Sequence, residues 1–243
     1  MVPIAGIHSV RTALAGDPER VVEVWLWRRR RDQRLGEIAA LARAAGIPLR
    51  QVEREALDRV AAKHQGVIAW VQMPSVRGEK DLWHLLEGLR EPPLLLVLDG
   101  VQDPHNLGAC LRTADATGVH AVLSPKDQTV GLTATVFKVA SGAAQSVPFV
   151  QVTNLARTLD QLKERGIWLL GTAADAETLL YQEDLRGPLG IVMGSEGKGL
   201  RRLIRSRCDF LARLPLFGRV ESLNLSVATG VCLYEALRQR TQF

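Results

Sequence analysis

A chain of 243 residues, 47% of them hydrophobic, has room for one large domain or two small ones and the apolar content for a sizeable core. Its 31 Lys and Arg against 26 Asp and Glu give a formal charge of +5, a basic bias that suits a nucleic-acid partner. Three cysteines, far apart and odd in number, argue against a disulfide framework, no Cys or His spacing suggests a metal site, and no signal peptide or membrane-spanning apolar stretch is seen, so a cytoplasmic location is expected.

The basic surplus lies early: residues 1–90 carry 15 Lys and Arg against 11 acids, residues 91–243 carry 16 against 15. Residues 1–71 read as a small alternating unit, with strands at 21–27, 47–52 and 67–71 and helices at 33–45 and 53–62. Residues 73–78 read as a linker. Leu82, Leu85, Leu86 and Leu89 then form one face of a helix that Pro92-Pro93 stops. Beyond residue 94, strands are expected at 94–98, 120–123, 146–151, 167–171, 189–193 and 210–214, and helices at 106–117, 130–141, 155–165, 199–207 and 225–239. This alternation predicts an α/β domain with a mostly parallel sheet. The division expected is 1–72, a connecting segment 73–93, and 94–243.

Several segments invite a chemical reading beside a plainer one. In LLLVLDGVQDPHNLGACLR, residues 94–112, an apolar strand breaks at two turn signals and enters a helix. Asn106 stands where an N-cap would, and Arg112 is spaced for an i,i+3 ion pair with Asp115. GSEGKG, residues 194–199, is too short for a Walker A loop, lacks the Ser or Thr after the Lys, and reads alone as a tight strand-to-helix turn. In that setting Glu196 would complement a helix dipole. Ser222 and Asn224, in ESLNLS, read alone as turn and cap residues. The run Arg28, Arg29, Arg30, Arg31 reads as a solvated face, and Trp25, Trp27 and Trp70 as core.

Residues 94–112, IVMGSEGKGL (191–200) and LPLFGRVESLNLSVATGV (214–231) closely resemble the three ordered signatures of the SpoU (TrmH) family of RNA ribose 2′-O-methyltransferases. GIHSV near the start and KHQGVIA at 63–69 resemble that family's small N-terminal substrate-binding domain, which is related to ribosomal RNA-binding proteins. The resemblance implies a trefoil-knotted α/β methyltransferase domain preceded by a small α/β RNA-binding domain. It implies S-adenosyl-L-methionine held by Thr172, Gly194, Leu214, Leu216 and Leu223, with Arg112, Asn106, Glu196, Ser222 and Asn224 at the active site and no metal. It further implies a homodimer acting on a guanosine ribose of 23S ribosomal RNA, free or in an assembling large subunit. Arg28 to Arg31 would then hold RNA through phosphates. Arg112 would serve as the base, or, since a guanidinium stays protonated, as a fixed cation at the developing alkoxide. A transfer RNA methyltransferase and a non-catalytic RNA-binding module are the alternatives. The apolar settings of Cys110, Cys208 and Cys232 read as small buried hydrophobes.

Overall fold

The computed structural model describes residues 1–30, 32–72 and 76–241, in two compact units, residues 1–75 and 76–243. The first unit is built from β1 (Val2–Ala5), α1 (Ile7–Gly16), β2 (Val21–Trp27), α2 (Gln33–Ala44), β3 (Leu49–Val52), α3 (Arg54–Asp58) and β4 (Val67–Val71). Its sheet runs β1-β4-β2-β3, with β2 and β3 parallel and both β4 pairings antiparallel. Val24 and Leu26 of β2 alternate inward and meet Val10, Leu14, Ile38 and Ala42 of α1 and α2 in one core. Asp32 caps α2 by accepting from the Leu35 amide at 3.1 Å, and that bond lowers its pKa from the ordinary carboxylate range.

β1 and α1 have no counterpart in the sequence reading. VPIA is too short to show alternation, and α1 buries only Val10, Ala13 and Leu14. The partly buried Trp25 and Trp70 meet edge to face with centroids 5.4 Å apart, and neither is fully enclosed.

The second unit contains α4 (Glu79–Gly88), β5 (Leu94–Asp99), α5 (Pro104–Ala116), β6 (Ala121–Pro125), α6 (Ala134–Ala140), α7 (Ala143–Ser146), β7 (Phe149–Val152), α8 (Leu155–Glu164), β8 (Trp168–Thr172), β9 (Thr178–Leu179), β10 (Leu189–Gly194), α9 (Arg202–Arg205), β11 (Phe210–Arg213) and α10 (Leu225–Arg240). The sheet order is β7-β6-β5-β10-β8-β11-β9, and every pairing in it is parallel. β5 and β6 are buried at every position, as central strands covered on both faces must be. On one face Leu95, Val97, Leu123 and Val192 pack with Leu159 and Leu162 of α8. α5 packs against α6, α7 and α10. The helix expected as a connector, α4, puts Leu82 wholly into this core, with Trp83 and Leu86 against it. The Met73–Ser75 part of the expected linker lies outside the described residues.

In the first unit the helix expected over 53–62 shrinks to Arg54–Asp58, and in the second unit three expected elements change. The helix over 130–141 is shorter and is followed by a separate turn of helix, because Ser141 and Gly142 both take positive φ, 52° and 102°. The strand over 146–151 begins only at Phe149, after α7. The helix over 199–207 shrinks to Arg202–Arg205.

Candidate active site

Parallel strands end together, and ligands of open α/β sheets sit beyond those carboxyl ends. Here the ladder aligns Gly194 of β10 with Asp99 of β5, and Ala212 of β11 with Thr172 of β8. The loops that follow β8, β10 and β11 wall a cleft of about 690 Å³. Thr172, Gly194, Leu214, Leu216 and Leu223 all line it, as do Glu196, Ser222 and Asn224. Thr172 donates through Oγ1 to the Val192 carbonyl at 3.3 Å, tying the end of β8 to β10.

GSEGKG is not a strand-to-helix turn. Ser195 and Gly199 exchange backbone hydrogen bonds, 3.1 and 2.9 Å, so the loop doubles back on itself and α9 starts only at Arg202. A Cβ on Gly194 would lie 2.1 Å from the Gly199 carbonyl carbon, so only glycine permits that approach. Glu196 therefore stands away from the start of α9, the next helix. It points to α5 and α10 instead.

There the side chains of Asn106, Glu196 and Asn224 meet. Asn106 Nδ2 donates to Glu196 Oε1 at 2.6 Å, and Asn224 Nδ2 donates to the same oxygen at 2.9 Å and to Asn106 Oδ1 at 3.0 Å. Asn106 is only 5% exposed, so its amide must find such partners. It is not the N-cap of α5. Asp103 holds that place, accepting from the His105 amide at 2.9 Å, and Pro104 fills the first helical position, where a missing N–H costs nothing. Asn224 does cap α10, accepting from the Ser226 and Val227 amides at 2.9 and 3.4 Å, while its amide nitrogen serves the cluster. One residue thus fixes both the start of α10 and the wall of the cleft.

Arg112 is exposed and is not among the residues that line its own chain's cleft. Six residues beyond Asn106, it lies about 240° round the helix, off the face that carries the cluster. The ion pair with Asp115 does not form: Asp115 accepts from Ser146 Oγ at 2.5 Å. In the first unit Arg28 and Arg29 are 71% and 80% exposed and stand 3.9 and 3.7 Å from Glu53, pairs too open to hold firmly. Arg30 is engaged, donating to Asp32 at 2.7 Å and to the Gln65 carbonyl at 2.8 Å. Arg31 lies outside the described residues.

The sequence reading missed two side-chain pairs near the cleft. Asp175 and Arg205 both line it, bonded at 2.8 Å, and the guanidinium holds the Asp175 carboxyl below its usual range. Asp99, read only as a turn signal, is buried and bonded to Arg201. Both pairs join residues far apart in the chain, which no local pattern displays. Burial pushes the Cys110 thiol up to about 11 and those of Cys208 and Cys232 to about 12, so none is a thiolate nucleophile. Among the described residues no group of His, Cys, Asp and Glu could hold a metal, and no helix is long and apolar enough to cross a membrane.

A model of the SpoU rRNA Methylase family matches residues 93–234, and one for RNA 2′-O ribose methyltransferase substrate binding matches residues 3–76. The protein named 23S rRNA (guanosine-2′-O-)-methyltransferase RlmB in Pseudomonas aeruginosa is 57% identical over 239 residues, 98% of this chain and 96% of its own length. Its namesake in Pseudomonas putida is 56% identical over 238 residues, again 98% and 96%. Among solved structures, the SpoU methyltransferase AviRb of Streptomyces viridochromogenes, in complex with the cofactor AdoMet, superposes with a TM-score of 0.81 over 98% of this chain and 90% of its own; at 24% identity this is a likeness of fold. By its matched residues, the chain belongs to the SpoU rRNA methylase family.

Proposed function

We propose that this chain transfers a methyl group from S-adenosyl-L-methionine to the ribose 2′-hydroxyl of a guanosine in 23S ribosomal RNA. The observation that carries the reading is the glycine-walled cleft whose rim holds the Asn106–Glu196–Asn224 cluster. Its walls suit the donor. Gly194 and the turned-back loop expose backbone groups at close range, and Leu214, Leu216 and Leu223 supply apolar surface for an adenine. The sulfonium supplies an activated methyl and its own leaving group, so no metal is called for. The protein's part is alignment, and what it contributes is rigidity around the nucleophile. Glu196 accepts two amide bonds on one oxygen, which fixes the carboxylate against α5 and α10. Ser222 stands beside Asn224 on the same rim, where a hydroxyl can bond a ribose or phosphate oxygen.

The full-length relatives are named for ribosomal RNA, and the substrate-binding model covers the first unit; both favour this substrate over transfer RNA. Within this proposal residues 1–72 bind RNA, 73–93 connect, and 94–243 carry the chemistry in the cytoplasm. The test is to methylate total RNA from a strain lacking the enzyme, using labelled S-adenosylmethionine, and to map the labelled ribose. Label on a guanosine 2′-oxygen of 23S RNA is expected; label on transfer RNA, or none, would overturn the reading.

The same reading includes a homodimer and a knotted chain. β10 enters the sheet between β5 and β8, both of which precede it, and α10 returns to pack on α5, an arrangement that a trefoil threading of 189–240 accommodates. On α10, Val227 and Tyr234 are 52% and 54% exposed, and Phe217 in the loop before it is 98% exposed, an apolar surface suited to a second copy. Leu225 and Cys232 are buried within the chain. Arg112, off its own cleft, would then serve the cleft of the second copy. Light scattering at micromolar concentration is expected to give twice the 26.7 kDa chain mass, and Tyr234→Glu with Val227→Glu to give the single mass.

The exposed arginines of the first unit supply affinity. Replacing Arg28 and Arg29 with glutamine should weaken RNA binding and lower the slope of log affinity against log salt by about 0.7 per lost phosphate contact. Cofactor affinity should stay at the parent value by calorimetry. Loss of cofactor binding in this variant would contradict the division of labour.

A further inference from the structure

We propose that Asp99 is a positioning residue for the cleft, clasping Arg201 so that residues 194–201 are held as a closed loop. This rests on reading the cleft as the S-adenosylmethionine site. Asp99 ends β5 and its side chain is fully buried, while the Arg201 side chain is 48% exposed. The Arg201 amide donates to Asp99 Oδ2 at 3.0 Å, and its Nε donates to Oδ1 at 2.7 Å, with a second guanidinium nitrogen 2.5 Å from the same oxygen. Asp99 is also the ladder partner of Gly194. One residue therefore holds both ends of the loop, its entry through the sheet register and its exit through the carboxylate. Between those ends lie the Ser195–Gly199 exchange, Glu196 with its two amide partners, and Leu200 on the cleft wall.

A buried carboxylate cannot be left unpaired cheaply, so its partner is effectively compulsory. Arg suits the post because its fork bonds through Nε and a terminal nitrogen together, which a lysine cannot do. The carboxylate also takes a backbone amide, so the bond restrains the main chain of the loop and not merely a side chain. The loop then meets the ligand already shaped, and little ordering remains to be done on binding.

Asp99→Asn keeps the shape but turns one acceptor into a donor, so Arg201 loses a contact whichever way the amide faces. In that variant the dissociation constant for S-adenosylmethionine should rise about tenfold, the size of one lost charge-assisted bond. Without ligand, hydrogen exchange at the Ser195 and Gly199 amides should quicken about tenfold, while amides of β6 keep parent rates. Arg201→Lys, which leaves the backbone contact in place, should shift the same amides in the same direction by less. Unchanged exchange at Ser195 and Gly199 would overturn the clasp, and so would exchange that rises equally throughout the sheet, the sign of a merely structural ion pair. A parent chain that binds no S-adenosylmethionine would sink the reading of the cleft instead; the ligand-free exchange would still decide the clasp.

Discussion

Arg112→Ala is expected to lower turnover by about two to three orders of magnitude, the usual loss when one donor to a developing oxyanion is removed. Fold and cofactor affinity should stay close to the parent, because Arg112 is exposed and does not line its own cleft. Lysine should rescue only in part, keeping the charge but not the planar fork. A stabilising ion pair would predict a loss of well under about 1 kcal/mol and near-normal turnover. The structure does not form that pair, and Asp115 bonds Ser146 Oγ instead. If Arg112 serves the cleft of a second copy, inactive Arg112→Ala and inactive Asn224→Ala chains should complement each other. Random pairing makes half the dimers mixed, each with one complete site, so an equal mixture should recover about a quarter of parent activity. Parent-rate methylation by folded Arg112→Ala would remove the residue from the mechanism; a mixture with no recovery would place it with its own chain's cleft.

What could be read ahead of the structure divides by range. β2 and the β5–α5 unit announce themselves locally, as apolar runs bounded by turn residues and followed by spacing of three and four. β1 and α1 do not, being a four-residue strand and a helix that buries three small or medium side chains. The N-terminus of α5 shows how close choices go wrong: Asp103 and Asn106 are both good caps, and Pro104 decides between them because proline belongs at the first helical position. The candidate site was legible only through the resemblance. Asn106, Glu196 and Asn224 are 90 and 118 residues apart, and Asp99 and Arg201 are 102 apart. No periodicity links such residues; the parallel sheet does, by ending β5, β8 and β10 side by side. Even then the family pattern gave Arg112 as a site residue without showing that it is not among the residues lining the cleft of its own chain. That requires the helical phase between positions 106 and 112.

Gly194→Ala should be the most damaging small change to cofactor binding. Its Cβ would lie 2.1 Å from the Gly199 carbonyl carbon and 2.3 Å from the Leu200 amide nitrogen, both backbone atoms that cannot swing aside. The residue is fixed from behind by its pairing with Asp99, so the loop must give way. Overpacking of this kind costs about 3 kcal/mol where relief is poor, and taken wholly from the closed loop that is about a hundredfold in S-adenosylmethionine affinity. Two other glycines calibrate the result. Gly197 has φ +74° but open space around its Cβ position, so alanine there meets only left-handed backbone strain of about 1 kcal/mol and should cost about fivefold. Gly218, in the loop before α10, has neither positive φ nor a neighbour within 4 Å, and alanine there should lie within about 0.5 kcal/mol of the parent. Calorimetric titration with S-adenosylmethionine should rank the three 194, 197, 218, while RNA affinity of each variant stays near the parent. Equal affinities across the three would mean that the close return of the loop onto Gly194 is not what shapes the cleft.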